Sequence, residues 1–304
     1  MIKSVTITNY LGETIKLELT RPATSGFAIE FIDGLGPPKG TINTTEISTS
    51  DGGVFASARL AQRNIILGLI FVENRSETVE RLRHKAYKYF PLKKKLQFRI
   101  ETDTRTAVID GYVESNEPDI FTKRAGCTIS IICPNPYFRS VDGNVVVEFS
   151  GIEPSFEFPF SNESRTNPML EMGTILNENT KVITYKGDGE VGVTIRSVVM
   201  GEVENINFYN ISTRETMSID TNRIATVTGT ALSEGDEIII TTDKSEKSIK
   251  LIRDGESINI LNCLSKGSSW FALTKGDNVF AYTCDVGQLN LQVSIEHKVI
   301  YEGV

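Results

Sequence analysis

The sequence has little of what catalytic and metal-binding proteins use. Its 304 residues contain only two histidines, His84 and His297, and neither lies in a recognisable motif. No G-x-S-x-G elbow, no clustered cysteine and histidine spacing and no phosphate-cradling glycine loop before a helix is present. We therefore expect a protein that is not an enzyme and that has no cofactor and no metal.

Cysteine and long apolar runs are also scarce, and negative charges outnumber positive ones. The formal net charge of −7 argues against specific nucleic-acid binding, which usually requires a basic face. No run approaches the roughly 18 apolar residues of a membrane span, and the first residues lack the apolar segment of a signal peptide. We expect no membrane insertion. The four cysteines form no C-x-x-C pair, which predicts reduced thiols that act as small hydrophobic residues in strands: Cys127, Cys133, Cys263 and Cys284.

A proline-rich junction near the middle of the chain predicts a domain boundary. The length favours two domains. After Cys127, the residues Ile129, Ile131 and Cys133 alternate with Thr128, Ser130 and Ile132. This two-residue period predicts a half-buried strand. Pro134 and Pro136 then stop it, because proline lacks the N–H of a β-ladder. We expect domains at 1–140 and 141–304.

The first domain reads as a β-rich fold with one helix. Short alternating strands precede and follow a continuous apolar run at 65–72. A helix is predicted from Glu77 to Phe90, capped by Asn74 or Ser76 and stopped by Pro91. Its buried stripe follows three-four spacing. The residues of this stripe are Val79, Leu82, Ala86, Tyr89 and Phe90.

A long arm at 41–61 interrupts this domain. Residues 42–48 and 54–63 flank the turn signal Asp51-Gly52-Gly53, and both flanks are poor in bulky apolar residues. Such a hairpin buries little against its own domain. It either extends into solvent or lies on another chain, and the sequence favours neither alternative.

The second half predicts an all-β sandwich or jelly roll without a helix. Short strands recur at regular spacing and glycine-containing turns separate them. Acidic residues near two turns, Asp188 and Asp236, suit either hairpins or calcium sites, and hairpins explain them better. The aromatics Trp270, Phe271, Phe280 and Tyr282 suggest a sugar platform, but we interpret Trp270 as a core residue.

The order of these features resembles the distal tail protein family of siphovirus-type bacteriophages, a component of the baseplate hub. The resemblance spans nearly the whole chain and depends on the combination of short motifs. These are the Asp51-Gly52-Gly53 arm, the helix ending at Phe90-Pro91, Gly111-Tyr112-Val113, Cys133-Pro134-Asn135-Pro136-Tyr137-Phe138, Gly267-Ser268-Ser269-Trp270-Phe271, Lys275-Gly276-Asp277-Asn278 and Tyr301-Glu302-Gly303-Val304.

The resemblance implies a mainly β fold: an N-terminal β-sandwich or split barrel with one helix and an arm, and a C-terminal jelly-roll sandwich of galectin or carbohydrate-module type. It implies a structural virion protein, made in the bacterial cytoplasm, that forms a homo-hexameric ring at the tip of the tail tube. The ring joins the tube to the baseplate and lets DNA pass. Expected partners are the tail tube protein, the tail-tip hub protein and a receptor-binding protein.

The arm is the candidate subunit interface under this interpretation. The residues assigned to it are Ile42, Thr44, Glu46, Asp51, Gly52, Gly53, Phe55, Arg59 and Arg63. The alternative function is a carbohydrate-binding module of the tail tip that recognises host cell-wall sugars, for which an exposed aromatic face on the second domain is expected. An enzyme such as a depolymerase would require a carboxylate pair that the sequence does not offer.

Overall fold

The computed structural model describes residues 1–48, 51–73, 77–119, 124–153 and 174–304. The mainly β class is confirmed: antiparallel sheets form most of the described chain, and none of them closes into a barrel. The chain divides into two compact units. Unit 1 comprises Met1–Gly143 and Ile300–Val304, and unit 2 comprises Asn144–Val299.

The described residues of unit 1 form ten strands before the chain enters unit 2. They are β1 (Ile2–Thr8), β2 (Thr14–Glu18), β3 (Phe27–Asp33), β4 (Gly40–Glu46), β5 (Gly53–Leu60), β6 (Arg63–Phe71), β7 (Lys95–Thr102), β8 (Thr106–Asp119), β9 (Gly126–Cys133) and β10 (Phe138–Ser140). The main sheet has the order β2-β1-β7-β8-β9-β6-β3, and β10 pairs with the start of β8. Strands β4 and β5 form a separate hairpin.

The alternation predicted for the junction is present in β9. Ile129, Ile131 and Cys133 are buried, whereas Ser130 and Ile132 between them are only partly buried. Phe138, just after the two prolines, is also fully buried. Burial raises the pKa of the Cys133 thiol to about 12, which keeps it protonated and unreactive at neutral pH.

Helix α2 (Val79–Tyr89) packs on this sheet through the stripe of buried residues that the sequence predicts. Leu82, Ala86 and Phe90 are buried, and Val79 and Tyr89 pack beside them. The helix begins two residues later than predicted, because its N-cap is a threonine at position 78 whose hydroxyl accepts a hydrogen bond from the third residue of the helix. The two residues predicted as caps, at 74 and 76, lie outside the described residues. A single-turn helix, α1 (Pro22–Ser25), precedes β3.

In its described residues, unit 2 is built from strands, one short α-helix, α3, and two single-turn 3-10 helices. The strands are β11 (Val145–Glu148), β12 (Ser150–Glu153), β13 (Thr174–Asn177), β14 (Thr180–Tyr185), β15 (Val191–Val199), β16 (Glu204–Asn210), β17 (Glu215–Ile219), β18 (Glu237–Thr241), β19 (Ser248–Arg253), β20 (Glu256–Asn259), β21 (Ala272–Leu273), β22 (Gly276–Val286) and β23 (Leu291–His297). One sheet runs β11-β23-β15-β18-β19-β20, with β21 beside β15, and a second runs β14-β22-β16-β17.

Two expectations for the second half are wrong. Helix α3 (Thr221–Thr228) forms between β17 and β18, because Asp220 caps its N-terminus and Gly229 ends it in the left-handed region at φ +82°. Trp270 is only partly buried, under the Nζ of Lys247 at 5.3 Å from its ring centroid, whereas Phe271 next to it is buried. The core position of this segment is therefore Phe271, one residue later than the predicted Trp270.

The last five residues return to unit 1. Strand β24 (Ile300–Tyr301) pairs antiparallel with β10. Unit 2 is thus inserted between two strands of unit 1 that are neighbours in the same sheet.

Candidate assembly interface

The hairpin of β4 and β5 is the most exposed element of unit 1. Seven residue pairs hold it in antiparallel register, from Gly40 opposite Leu60 to Glu46 opposite Gly53. Every residue of the two strands is exposed except Leu60, which is partly buried. Within the described residues, β4 and β5 pair only with each other. The hairpin therefore lacks the packing that stabilises a two-stranded ribbon in water.

A β-bulge gives this hairpin one apolar face. The register shifts between Asn43 and Thr44, so Ile42 lies opposite Ala58 while Thr44 lies opposite Phe55. Residues two apart on a strand share a face, and so do directly opposed residues. Ile42, Phe55, Ala58 and Leu60 consequently lie on one face. Without the bulge, Phe55 would lie on the other face, with Ser57 and Arg59.

Two large side chains on the apolar face are open to solvent. Ile42 is 66% exposed and Phe55 is 64% exposed. The opposite face carries the hydrogen bond from Asn43 Nδ2 to Ser57 Oγ, 2.9 Å long, together with Arg59 and one apolar residue, Val54. The face of Ile42 and Phe55, which we term the apolar face, also carries Thr44 and Glu46 toward the turn. Its two large apolar side chains pack on no other described element, a pattern typical of a segment that packs on a partner.

Arg63 does not belong to this exposed surface. It is the first residue of β6, only 3% exposed, and its guanidinium lies 4.5 Å above the ring of Phe138. Its nitrogens donate to four backbone carbonyls: those of Gly34, Gly36, Pro136 (2.8 Å) and Glu302 (2.6 Å). Burial lowers the pKa of this guanidinium from its ordinary value. The donors of Arg63 are thus used inside unit 1, which does not favour its assignment to the arm interface, and this assignment remains a prediction.

The other residues assigned to the interface lie on the hairpin or its turn. Thr44 and Glu46 are in β4, and Gly53 and Arg59 are in β5. Asp51 and Gly52 belong to the connecting turn, where Gly52 adopts φ +89°, a conformation that favours glycine. Thr49 and Ser50 of the same turn lie outside the described residues. No contact with another chain tests these assignments, and they remain predictions.

The C-terminal tail and Arg63 hold the base of the hairpin in place. The amide of Val304 donates to the carbonyl of Leu35 at 3.1 Å, in the loop that leads into β4. Arg105 lies 4.5 Å above the ring of Tyr301 and reaches the carbonyl of Gly303. Sequence reasoning missed this arrangement, because backbone carbonyls have no signature in the sequence.

The carboxylates considered for calcium have cationic partners. Asp236 is buried and accepts hydrogen bonds from Arg253, one of them 2.8 Å long. Burial acts to raise the pKa of Asp236, yet the bonds from Arg253 and Ser233 lower it overall. Asp188 pairs with Lys275 at 3.0 Å. Among the residues that the structure describes, no group of three or more histidine, cysteine or acidic side chains is arranged to hold a metal.

The two histidines differ in environment. His84 is exposed on α2. His297 is buried at the end of β23, with its ring 5.6 Å from that of Tyr185, and burial lowers its pKa. In the described parts of the chain, no helix is long and apolar enough to cross a membrane.

The fold is similar to that of a known phage protein. The crystal structure of the Dit protein (gp 19.1) of phage SPP1, described as a paradigm of the hub adsorption apparatus in phages that infect Gram-positive hosts, superposes with a TM-score of 0.62. The match covers 98% of this chain and 99% of that one, at 12% sequence identity. At this identity the similarity shows a shared fold over both units.

Two further structures match at lower similarity. Chains of the phage P2 baseplate in its activated conformation, one with Ca and one with Sr, give TM-scores of 0.44 and 0.43, both at 12% identity. The matches cover 100% of both chains for the Ca form and 99% of both for the Sr form. No protein-family model matches the chain, and no curated protein sequence matches it.

Proposed function

We propose that this protein is a structural component of the distal end of a phage tail, where copies of it assemble into a ring through the β4–β5 hairpin. The observation that carries the proposal is the hairpin's unpaired apolar face on a fold shared with the SPP1 Dit protein. An exposed isoleucine and phenylalanine on a rigidly anchored ribbon are costly in an isolated monomer and useful in an assembly.

The partner of the hairpin in this proposal is a neighbouring copy of the same chain. Burying Ile42 and Phe55 contributes on the order of 1.5–3 kcal/mol each to association. The same contact repeats at every subunit of a closed ring, because each copy both offers and receives a hairpin. The anchored base formed by Arg63 and the C-terminal tail would fix the direction in which each hairpin leaves its subunit.

The remaining features suit a hub through which DNA passes. The ring would be a hexamer that joins the tail tube to the baseplate, with the tube protein, a tail-tip hub protein and a receptor-binding protein as its partners. The net charge of −7 agrees with this role, because a conduit should not bind the phosphates of the DNA that passes through it. No side-chain chemistry is required of such a protein.

Native mass spectrometry of the purified full chain tests the proposal. A complex of six copies of the 33.7 kDa chain is the expected result. A monomer at all accessible concentrations would contradict it.

The second candidate is a carbohydrate-binding module of the tail tip. The aromatic platform expected for it does not form, because Phe271, Phe280 and Tyr282 are buried in unit 2. A polar cleft elsewhere in the same unit is the feature that favours sugar binding.

A further inference from the structure

We infer that unit 2 carries a binding site for a neutral saccharide on the outer face of the β14-β22-β16-β17 sheet, in the cleft that opens beside α3. The cleft has a volume of about 460 Å³. Ligand sites of small molecules begin at about 300 Å³, so a single sugar ring fits this size. All of the lining residues belong to unit 2: Asn205, Asn207, Ser218, Ile219, Asp220, Asn222, Ser265 and Asp285.

The floor of the cleft is a cross-strand row of polar side chains. Asn207 of β16 lies opposite Ser218 of β17 on one side and opposite Thr283 of β22 on the other. The buried positions on either side of Asn207, Ile206 and Phe208, face the core. The row therefore projects from a rigid sheet, which gives its polar atoms fixed positions.

Several polar atoms in this cleft are not used within the described chain. The amide of Asn207 makes only a 3.5 Å contact, from its Nδ2 to the carbonyl of Asn205. The hydroxyls of Ser218 and Ser265 have no hydrogen-bond partner among the described residues. One amide and two hydroxyls thus remain as donors and acceptors, which is the chemistry that recognises the hydroxyl groups of a sugar.

The two carboxylates of the cleft are already engaged and determine its charge preference. Asp220 accepts the cap hydrogen bond from the Asn222 amide and pairs with Arg223 at 3.3 Å. Asp285 accepts from Asn205 Nδ2 at 2.8 Å. No lysine or arginine is among the described residues that line the cleft, and the adjacent Arg223 pairs with Asp220, so the cleft has no cation in its lining to bind an anionic ligand such as a phosphate or a uronic acid. A neutral saccharide fits such a cleft, because its hydroxyl groups can bond to the free amide and hydroxyls and it carries no charge.

An aromatic ring lies at the edge of the same face. Tyr209 is two residues from Asn207 on β16 and is partly buried, with its hydroxyl 3.4 Å from Thr283 Oγ1. Tyrosine combines an apolar ring with a polar tip, so it can contact the C–H face of a sugar whose hydroxyls bond to the row. This site differs from the aromatic group centred on Trp270 that the sequence suggests.

Saturation-transfer NMR on the full chain tests the inference. The probes are the methyl glycosides of glucose, galactose, rhamnose and N-acetylglucosamine, with glycerol as a non-cyclic polyol. We expect transfer to at least one glycoside and none to glycerol. Asn207→Ala combined with Ser218→Ala should abolish that transfer, whereas Thr180→Ala, an exposed change on β14 of the same sheet, should leave it unchanged.

Three outcomes would overturn the inference: no transfer to any of the glycosides, equal transfer to glycerol, or transfer that survives the double substitution. Circular dichroism of each variant shows whether unit 2 remains folded, and if the double variant is unfolded, Tyr209→Ala replaces it with the same expected loss. Because the cleft belongs to unit 2 alone, the result of the NMR experiment does not depend on ring assembly. Failure of the ring and failure of the sugar site are therefore distinguishable.

Discussion

The guanidinium of Arg63 donates a 2.6 Å hydrogen bond to the backbone carbonyl of Glu302, a residue 239 positions further along the chain. This contact ties the strand that follows the hairpin to the C-terminal tail. It explains why the tail folds with unit 1 although all of unit 2 lies between them. It also identifies a single side chain on which the base of the proposed interface depends.

Replacing Arg63 should destabilise unit 1 more than replacing an exposed arginine of the same unit. Arg63→Ala leaves buried carbonyls without donors, and each orphaned group costs about 1–3 kcal/mol. We expect a loss of roughly 3 kcal/mol or more in the free energy of unfolding, measured by urea titration. Arg63→Lys should not restore it, because an ammonium cannot reproduce the planar fork. Arg99→Ala, an exposed arginine on β7, is the control, and equal losses in the two alanine variants would contradict this role.

Truncation after Val299 should affect the two units unequally. Removing residues 300–304 deletes β24, the Glu302 acceptor and the ring under Arg105. Unit 1 should then melt at a lower temperature while unit 2 is unchanged. The sole tryptophan lies in unit 2, so its fluorescence follows that unit, and circular dichroism follows the whole chain. A parallel shift of both transitions would show that the tail does not belong to unit 1 alone.

Two neighbouring aromatic residues should give opposite results in unit 2. Phe271→Ala removes a fully buried ring and should cost about 3–5 kcal/mol. Trp270→Ala removes a partly exposed ring that contacts Lys247 and should cost roughly 1–2 kcal/mol. Urea unfolding followed by circular dichroism measures both. A larger loss for Trp270→Ala would restore the core assignment that the sequence suggests.

Acid should weaken unit 2 through His297. Its Nδ1 lies 3.3 Å from the carbonyl of Lys298, and its Nε2 is buried without a partner among the described residues. Protonation would add an unsatisfied buried N–H, and burial accordingly lowers the pKa of this ring below its unfolded value of about 6.5. The unfolded state then binds more protons than the folded one. Stability should fall as pH drops below about 6.5 and should not change above it.

Urea titrations followed by tryptophan fluorescence between about pH 5 and 8 measure this dependence. The slope should not exceed about 1.4 kcal/mol per pH unit for one group. His297→Asn should flatten the curve, and His84→Gln, a change in unit 1, should leave the fluorescence transition of unit 2 as it is. An unchanged pH dependence in the His297 variant would assign the effect to other groups.

Local patterns in the sequence predict most of the strands but not the long-range contacts. The alternation at Ile129 and Ile131 defines β9, and the Asp51-Gly52-Gly53 signal lies in the turn of the hairpin. Both features depend only on near neighbours along the chain. Helix α3 also had a local signal, since Asp220 and Gly229 are a cap pair nine residues apart that the sequence interpretation missed.

Other features depend on residues that are distant in sequence. Arg63 appears in the sequence as one more charged residue after an exposed arm, and only the fold brings four carbonyls to it. The polar cleft likewise combines strands separated by up to 80 positions, such as Asn205 and Asp285. The apolar face of the hairpin depends on a bulge, and a bulge changes which residues share a face without any change in composition.

Negative-stain imaging of the full chain beside two hairpin variants tests the central claim most directly. The double variant Ile42→Ser with Phe55→Ser changes the apolar face, and Asn43→Ala with Thr45→Ala changes the opposite face as the matched control. All of these side chains are exposed, so each chain should remain folded. We expect six-fold rings from the unaltered chain and from the control, and single subunits from the apolar-face variant. Rings that persist in that variant, or that form in none of the three proteins, would contradict assembly through the hairpin.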